Sequence, residues 1–538
     1  MIADTPTAPE PVRYFVQEFL SETQKLVLKN STKKVLLEEI AKFEIPCKQC
    51  NGDGEIEFEE KEINPYLVEE FDAPVTLLQT RITGGGKKDC PCCEGAGKIS
   101  HPAAKRAKAV LDARAALKQI DVYDKLILAG RFHASFKVIG TLSSRMSGAD
   151  GLNAQGINKD FDTRSCFPLA WDGMILCGGD FAGFEVTLAE ACYNDPDLRK
   201  DLLTCESCEE QMEFVQGPVL ITDYLAEDGV KKYVENRVKD ELKKAKDMPG
   251  YRARTPEQVR EESIQCDFIC KCGSRDGKKI HALFGVHVFP DMDYYAIKKN
   301  KDIYTRCKQA VFAMFYGGEG PTLQDRLGVD LETANKAFER FTRRYKKVGI
   351  ARQKIFDMFC SMRQPNGIGT KVEWHEPADF IESMFGFPRY FTLENRICKT
   401  LYELATNPPK SWRDVKIRVV RRDRVQTAGG AAQSALFAAA FAIQAAAMRA
   451  GANHEIQSSG AQTTKKTERN IWNLQPHGIS RWLVIPMNIH DEIMSPTVPE
   501  MVTEVHRVVT NTVESFRPKV PLIKMDWVTG LTTWAEKG

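Results

Sequence analysis

Three separated segments combine carboxylates, a lysine and aromatic rings in patterns suited to chemistry on a phosphate. In MILCGGDFAGFEVTLAE (174–190) the apolar run Met174–Cys177 reads as a strand that Asp180 closes, and Glu185 opens a helical pattern five residues later. A carboxylate at the end of a buried strand is well placed to hold a divalent cation, although an aspartate after a strand also serves as a helix cap. In RWLVIPMNIHDEIMSP (481–496) two strand-like runs flank His490, Asp491 and Glu492, which puts the acids at the turn of an expected hairpin, or gives them only that structural part. Paired, Asp180 and Asp491 would bridge two Mg²⁺ ions about 4 Å apart, the arrangement used for in-line displacement at phosphorus. YTRCKQAVFAMFYGGEG (304–320) sets Lys308, Phe312 and Tyr316 at i, i+4 and i+8 on one helix face, and Gly317 and Gly318 end that helix. One ammonium and two rings can neutralise a triphosphate and stack on a base and sugar; such a stripe is equally the inward face of a core helix.

The cysteines suggest a second chemistry. CKQCNGDG (47–54) and CPCCEGAG (90–97) are two copies of CxxCxGxG, an internal repeat. Two CxxC pairs match tetrahedral zinc, and the glycines let the chain wrap around the sulfurs. Cys47, Cys50, Cys90 and Cys93 are the expected ligands, with Cys92 as a competitor for Cys90. The element is similar to the zinc repeats of DnaJ-type chaperones, but only two copies occur and no HPD signature accompanies them. It reads as a structural clip between two antiparallel helices. A second cluster, Cys205, Cys208, Cys266, Cys270 and Cys272, offers Cys205, Cys208, Cys270 and Cys272 as ligands, with Cys266 as the alternative fourth; plain reduced cysteines are the other reading. Cys166, Cys177, Cys192, Cys307, Cys360 and Cys398 are scattered, which suits buried packing.

The elements that must position these groups are partly legible. One long helix is expected over 13–45 and another from about His101 to Leu128, on near-helical apolar spacing. A charged helix over about 228–247 shows little apolar stripe, which predicts a solvent-exposed excursion. The chain has 538 residues, 43% hydrophobic and 28% charged, enough for sizeable cores and three or four domains. Basic and acidic residues number 75 and 73, so bulk charge predicts no nucleic-acid partner. Basic residues nevertheless concentrate in 98–118, 336–354 and 410–424, either solvated faces or a localised phosphate-binding surface. The insertion at 46–98 is rich in Asp and Glu, which suits a protein partner better than DNA. MIADTPTAPEPVR carries no basic-then-apolar run, and the apolar stretch ALFAAAFAI (435–443) is too short to span a bilayer, so a soluble cytoplasmic protein is expected.

Taken in order, the three segments resemble motifs A, B and C of family A (DNA polymerase I-like) DNA polymerases. The resemblance runs from about residue 131 onward. FKVIGTLSSRMSGADGLNAQGI (136–157) is similar to the family's TGRLSS…NLQNI stretch through Arg145, Asn153 and Gln155, and Arg164 with Phe167 matches the following RxxF. RAGANHEIQSSGAQ (449–462) resembles its RxAxNxPxQGTAAD helix, with Arg449, Asn453 and Gln457 one turn apart, and GLTTWAE (530–536) its GxxW terminus.

The resemblance implies an α+β fold: a right-hand polymerase of palm, fingers and thumb, with an antiparallel palm sheet, helical thumb and fingers, and zinc-binding insertions. It divides the chain into a thumb-like helical pair at 1–132 with the zinc insertion at 46–98, palm at 133–200, an insertion at 201–280, fingers at 281–448 and palm at 449–538. It implies template-directed addition of deoxynucleotides to a primer 3′-hydroxyl on primer–template DNA, with two Mg²⁺ ions held by Asp180, Asp491 and the Phe181 carbonyl. Glu492 would be an accessory acid near the primer end, and Glu185 would exclude a ribose 2′-hydroxyl. Lys308 would hold the triphosphate, joined by His281; Phe312 would pack on the sugar and Tyr316 would gate the template base. Arg145, Asn153, Gln155, Arg449, Asn453, Gln457 and His490 would contact DNA, in part through minor-groove acceptors common to every base pair.

Tyr304 stands where the family has an arginine, Lys279 replaces the aspartate of its DIH segment, and Gly183 and Thr187 replace a glutamine and an arginine. The expected setting is a phage polymerase of host cytoplasm without a proofreading domain, with a replication partner at the thumb insertion. A relaxed or RNA-making enzyme on the same fold is a further reading. The alternative of a different class is a zinc-dependent nucleic-acid-binding or chaperone-like module on an inactive polymerase fold.

Overall fold

The computed structural model describes residues 34–70, 73–129, 134–149, 153–158, 160–170, 173–247, 253–264, 266–367, 369–413, 418–421, 424–478 and 481–537, with Val12, Phe15, Val16 and Glu18 ahead of them. The chain divides into two compact units, Met1–Phe132 and His133–Gly538.

In the first unit, helix α1 (Lys34–Ile40) packs Leu37 and Ile40 against Ala103, Ala107 and Val110. Most of the expected helix 13–45 lies outside the described residues, and its end falls at Ile40 rather than 45. There the chain turns into β1 (Glu44–Pro46), where the proline biases Ile45 toward extended backbone. The acidic stretch after the first CxxC forms β2 (Glu55–Glu70) and turns back as β3 (Ala73–Asp89), a long two-stranded ribbon with one register shift between Glu60 and Lys61. β4 (Lys98–Ser100) pairs antiparallel with β1 and leads into α2 (Pro102–Ala129), the second expected helix.

The second unit is built on β5 (Ile175–Phe181), followed by α3 (Phe184–Tyr193) and α4 (Pro196–Leu202). A cysteine-bearing module then carries β6 (Glu213–Val215), α5 (Glu227–Asp247) and β7 (Asp267–Ile269). The chain continues as α6 (Ile280–Val288), α7 (Lys301–Phe315), α8 (Leu331–Arg344) and α9 (Lys346–Phe359). A hairpin of β8 (Phe380–Glu382) and β9 (Pro388–Tyr390) precedes α10 (Thr392–Thr406). A second hairpin, β10 (Arg418–Arg421) with β11 (Arg424–Thr427), leads into α11 (Ala428–Trp472), 45 residues long. The unit ends with β12 (Met487–Ile489), β13 (Glu492–Thr497), α12 (Val502–Phe516) and β14 (Met525–Leu531).

The strands order as β12-β13-β5-β14, all antiparallel, so β5 is central and its partners come from more than 300 residues later. One core cluster joins Leu188 of α3, Phe284 of α6, Phe315 of α7, Phe341 of α8, Ile456 of α11, Ile493 of β13 and Val509 of α12. Each such side chain contributes roughly 1.5–3 kcal/mol on burial, and together they hold helices and sheet in one body.

Two expectations change. Helix α5 is not a free excursion: Val230 and Tyr233 are buried, Val234 and Val238 pack beside them, and this stripe meets Ile221, Val259, Ile264 and Ile269. A narrow stripe at i, i+3, i+4 and i+8 is easily lost to view among fourteen-odd charged and polar neighbours, yet it suffices for a small core. The apolar stretch at 435–443 belongs to α11, which by length and composition alone is long and apolar enough to cross a membrane. Its later half packs into the core and buries Ser458, Ser459, Thr463 and Thr464. The hydroxyls of Ser459, Thr463 and Thr464 bond to carbonyls one turn back, which lets a polar stripe enter a core.

Candidate active site

Asp180 stands near the end of β5, directly opposite Glu492 of β13 and Asp526 of β14. Neighbouring strands can close around it because β5 carries glycine beside it: a Cβ on Gly179 would lie 2.7 Å from the Asp526 carbonyl oxygen. Ile489 pairs with Glu492, so His490 and Asp491 are the two-residue turn of a tight hairpin. His490 takes the left-handed backbone such a turn needs (φ 63°), and Asn488 donates to its carbonyl at 3.3 Å.

Glu492, one residue on, has a different environment. Its carboxylate is buried, accepts from Arg164 Nη1 at 3.3 Å through both oxygens, and accepts from Trp534 Nε1 at 2.6 Å. The Arg164 guanidinium lies 4.2 Å over the Trp534 ring, and Phe167 meets that ring edge-on. Glu492, expected as an accessory acid, thereby also ties β13 to the turn at Trp534. Asp180 is half-exposed, and Lys537 donates to its Oδ1 at 2.5 Å.

A cleft of ≈ 250 Å³ collects Arg145, Gln155, Glu185, Gln457, His490 and Asp491 from five stretches of chain. Arg145 Nη2 donates to Glu185 Oε1 at 3.4 Å, and Gln155 Nε2 to Asn488 Oδ1 at 3.2 Å. Glu185 lies in the first turn of α3, where a negative charge is favoured. Asn153 accepts from the Gln155 backbone N–H at 3.0 Å and so caps the turn that aims Gln155. Of the α11 residues expected here, Gln457 lines the cleft; Arg449 and Asn453 do not, and the Asn453 Oδ1 is buried without a hydrogen bond among the described residues.

Lys465 was not anticipated. It lines the cleft two turns beyond Gln457 on the same helix face and donates to Ser144 Oγ at 3.3 Å. The i+8 spacing from Gln457 was the available signal. Burial, opposed by Glu468, lowers its ammonium below the usual lysine range. Lys537 was missed as well, and nothing local in the sequence marks it.

On α7, Lys308, Phe312 and Tyr316 do share a face. Lys308 Nζ lies 5.8 Å from the Phe312 centroid, and the Phe312 and Tyr316 rings stack at 6.4 Å. His281, in the first turn of α6, meets Phe312 and Tyr304 edge-on. Burial, then the ammonium groups of Lys308 and Lys279, bring its imidazole down to about 4, so it is neutral at ordinary pH. Its Nδ1 is buried without a hydrogen bond among the described residues. Burial and the neighbouring Glu185 carboxylate raise the Tyr316 phenol. Arg306 pairs with Asp302 at 2.8 Å.

The basic tract 336–354 is largely consumed within the unit. Lys336 pairs with Glu332 and Arg352 with Glu319, Arg344 grips Asp201, and Arg340 donates to the His287 carbonyl. With Lys354 on Glu455, five of the tract's eight cations have protein partners, while Arg343, Lys346 and Lys347 stand exposed.

Both cysteine tetrads assemble. In the first, Cys47 and Cys90 Sγ lie 3.8 Å apart and Cys50 and Cys93 Sγ 3.6 Å apart; in the second, Cys205–Cys272 is 3.7 Å and Cys208–Cys270 3.3 Å. Zn–S bonds of about 2.3 Å give a tetrahedron with edges of about 3.8 Å, so each donor set fits that ion. Within each tetrad the ligand atoms all lie within 4.8 Å of one another. The competitors are excluded: Cys92 is exposed, and Cys266 stands outside the second set. The repeated glycines close the first clip reciprocally, since Cys47 N–H donates to Gly97 and Cys90 N–H to Gly54, both at 2.8 Å. Hydrogen bonds from the Cys50 and Gln49 backbone bring Cys47 down to about 6; against the push of burial, Cys208 and Ser207 backbone N–H groups bring Cys205 down to about 7.

The helix face at 301–315, the buried-polar helix at 449–472 and the His-Asp turn lie in one stretch of chain with one relationship. Residues 275–536 match the family model for DNA polymerase family A. This polymerase domain match contains Lys308, Phe312, Tyr316, Gln457 and Asp491, and begins after Asp180 and Glu185, which the cysteine module separates from it in sequence. No curated protein matches the chain. Among solved structures, the POL domain of Pol1 from M. smegmatis, in complex with DNA primer-template and dNTP, is similar at 15% identity and a TM-score of 0.47. The alignment covers 81% of this chain and 54% of that one, so the chain spans about half the length of its match.

Proposed function

We propose that this protein is a template-directed DNA polymerase that adds deoxynucleotides to a primer 3′-hydroxyl. The observation that carries the reading is the single cleft joining Arg145, Gln155, Glu185, Gln457, His490 and Asp491, beside a helix whose one face presents Lys308, Phe312 and Tyr316. The match of 275–536 to family A polymerases supports the same chemistry.

Asp180, Asp491 and the Phe181 carbonyl are the candidates to hold Mg²⁺. Their oxygens are hard donors, and Mg²⁺ commonly takes only one or two carboxylates beside substrate phosphates. The Lys537 ammonium against Asp180 supports a cation at this position. When bound, magnesium would lower the pKa of the primer hydroxyl and neutralise phosphate charge. The chain's own groups do the rest of the positioning. Lys308 meets the triphosphate as a point charge, and neutral His281 offers a ring N–H to the same phosphates. Phe312 packs on the sugar, and Tyr316 closes over the template base. Glu185, held by Arg145, fills the space a 2′-hydroxyl would need. Arg145, Asn153, Gln155, Arg449, Asn453, Gln457 and His490 follow the primer–template duplex.

In this reading the first unit acts as a thumb, 281–448 as fingers, and the four-stranded sheet as the palm. Zinc fills both cysteine tetrads as a structural ion, and the acidic 46–98 insertion docks a replication partner. Primer extension with Mg²⁺ is the direct test. It should proceed with the native protein and vanish in Asp180→Ala and Asp491→Ala. Undiminished extension by both variants would refute the assignment.

A further inference from the structure

The short turn Trp534–Lys537 brings an ammonium to the carboxylate near the end of β5. It is anchored at two points: the Trp534 backbone N–H donates to the Phe167 carbonyl at 2.9 Å, and the Trp534 indole to Glu492 at 2.6 Å. Trp534 itself is fully buried. From this anchor Lys537 reaches Asp180, and its Nζ donates to Oδ1 at 2.5 Å. The lysine side chain is 6% exposed and the aspartate 49%. An ammonium so far out of water needs its partner, whereas the carboxylate keeps an open side.

Among the described residues, Lys537 is the one side chain that donates to Asp180. The contrast is with Glu492, enclosed by both Arg164 and Trp534. Asp180 is held by a single ammonium on a flexible four-carbon stem, which can turn aside without disturbing the sheet. An acceptor for that ammonium stands beside it. Asp526 of β14 is directly opposite Asp180, so both side chains project from the same face of the sheet. Asp180, Asp526 and Lys537 also line one cavity of ≈ 920 Å³. Asp526 is 56% exposed, and Lys524, 3.9 Å from it, is engaged more closely by Asp267 at 3.0 Å.

A divalent cation on Asp180 would face the Lys537 ammonium across one carboxylate, whose single charge cannot neutralise both. We infer that Lys537 competes with the divalent cation for Asp180, and that Asp526 receives the ammonium when the cation displaces it. Lys537 thereby weakens ion binding at Asp180 and keeps the ion-free carboxylate neutralised. Taking Asp180 as a metal ligand rests on the polymerase reading; the competition is a property of these three side chains.

The test is Mn²⁺ binding to the full chain without substrate, followed by loss of the free-ion EPR signal. Binding that disappears in Asp180→Ala defines the site. Lys537→Met, which keeps the stem and removes the charge, should tighten that binding about three- to tenfold, the weight of one partly exposed, charged hydrogen bond. Lys537→Gln should do the same, and Lys537→Arg should bind no more tightly than the native chain. Asp526→Asn should weaken binding several-fold on its own and leave it unchanged in the Lys537→Met background, where no ammonium needs a second acceptor. Equal weakening in both backgrounds would mean that Asp526 acts only through its field, and the displacement would be wrong. Unchanged affinity in both neutral Lys537 variants overturns the competition. The two kinds of failure are distinct. If Asp180→Ala removes no Mn²⁺ binding, the metal assignment of the polymerase reading falls; an Asp180-dependent site indifferent to Lys537 leaves that assignment standing and refutes the competition alone.

Discussion

Arg164, Glu492 and Trp534 form a buried bracket in which a carboxylate is neutralised on one side and hydrogen-bonded on the other. Removing one partner of such a pair leaves an uncompensated charge inside the protein, a loss of about 3–5 kcal/mol. Arg164→Leu should therefore destabilise the protein by that order in denaturant melts, and adding Glu492→Leu should recover most of it. Equal stability of Arg164→Leu and the native chain would show that the bracket carries nothing. Sequence could not separate Glu492 from Asp491, because adjacent residues at a hairpin point to different surroundings and only the packed neighbours decide which is buried. His281 gives a pH signature. Its folded value, about 4, lies below the ordinary 6.5, so protons bind the unfolded chain more tightly. Stability is then full above pH 6.5 and declines as pH falls toward 4, by up to about 3 kcal/mol. In urea melts at pH 7.5 and 4.5, His281→Asn should lose less stability than the native protein; identical losses would remove His281 from the account.

The first cysteine clip is the element most fully written in local sequence. Two cysteines three apart set the knuckle, and glycine at fixed offsets lets each knuckle fold over the other. Gly54 has φ +82°, and a Cβ there would fall 2.3 Å from the Gly95 carbonyl oxygen. Gly54→Ala should open the clip at a cost of about 1–3 kcal/mol from the backbone conformation alone, read as weaker zinc retention against a chelator. Cys90→Ser should lose one zinc per chain while Cys92→Ser keeps it, by elemental analysis. Helix α5 shows the opposite case. Its apolar stripe is four residues wide in a charged sequence, and the partners that make it a core face, Val259, Ile264 and Ile269, lie after it in the chain. Periodicity identified the helix, but the stripe's significance depends on what packs against it.

Across the whole molecule, the two tetrads sit in separate compact units, so their losses should be independent. The native chain should hold two zinc ions. Cys208→Ser should remove one, Cys50→Ser the other, and the double variant both, whereas Cys266→Ser should retain two. Coupled loss of both ions from either single variant would contradict that independence. At this scale the sheet is the deciding structure, because it sets strand 175–181 between strands drawn from 492–497 and 525–531. The sequence by itself determined what short-range geometry dictates: the cysteine knuckles, the Lys308–Phe312–Tyr316 face, a hairpin turn at His490-Asp491-Glu492, and the resemblance those motifs carry. Only the tertiary structure decided that Glu492 is buried, that Lys465 enters the cleft, that Lys537 meets Asp180, and that five of the eight 336–354 cations take protein partners. Those outcomes depend on contacts between residues tens to hundreds of positions apart, and local sequence carries no record of which distant group will fill a given space.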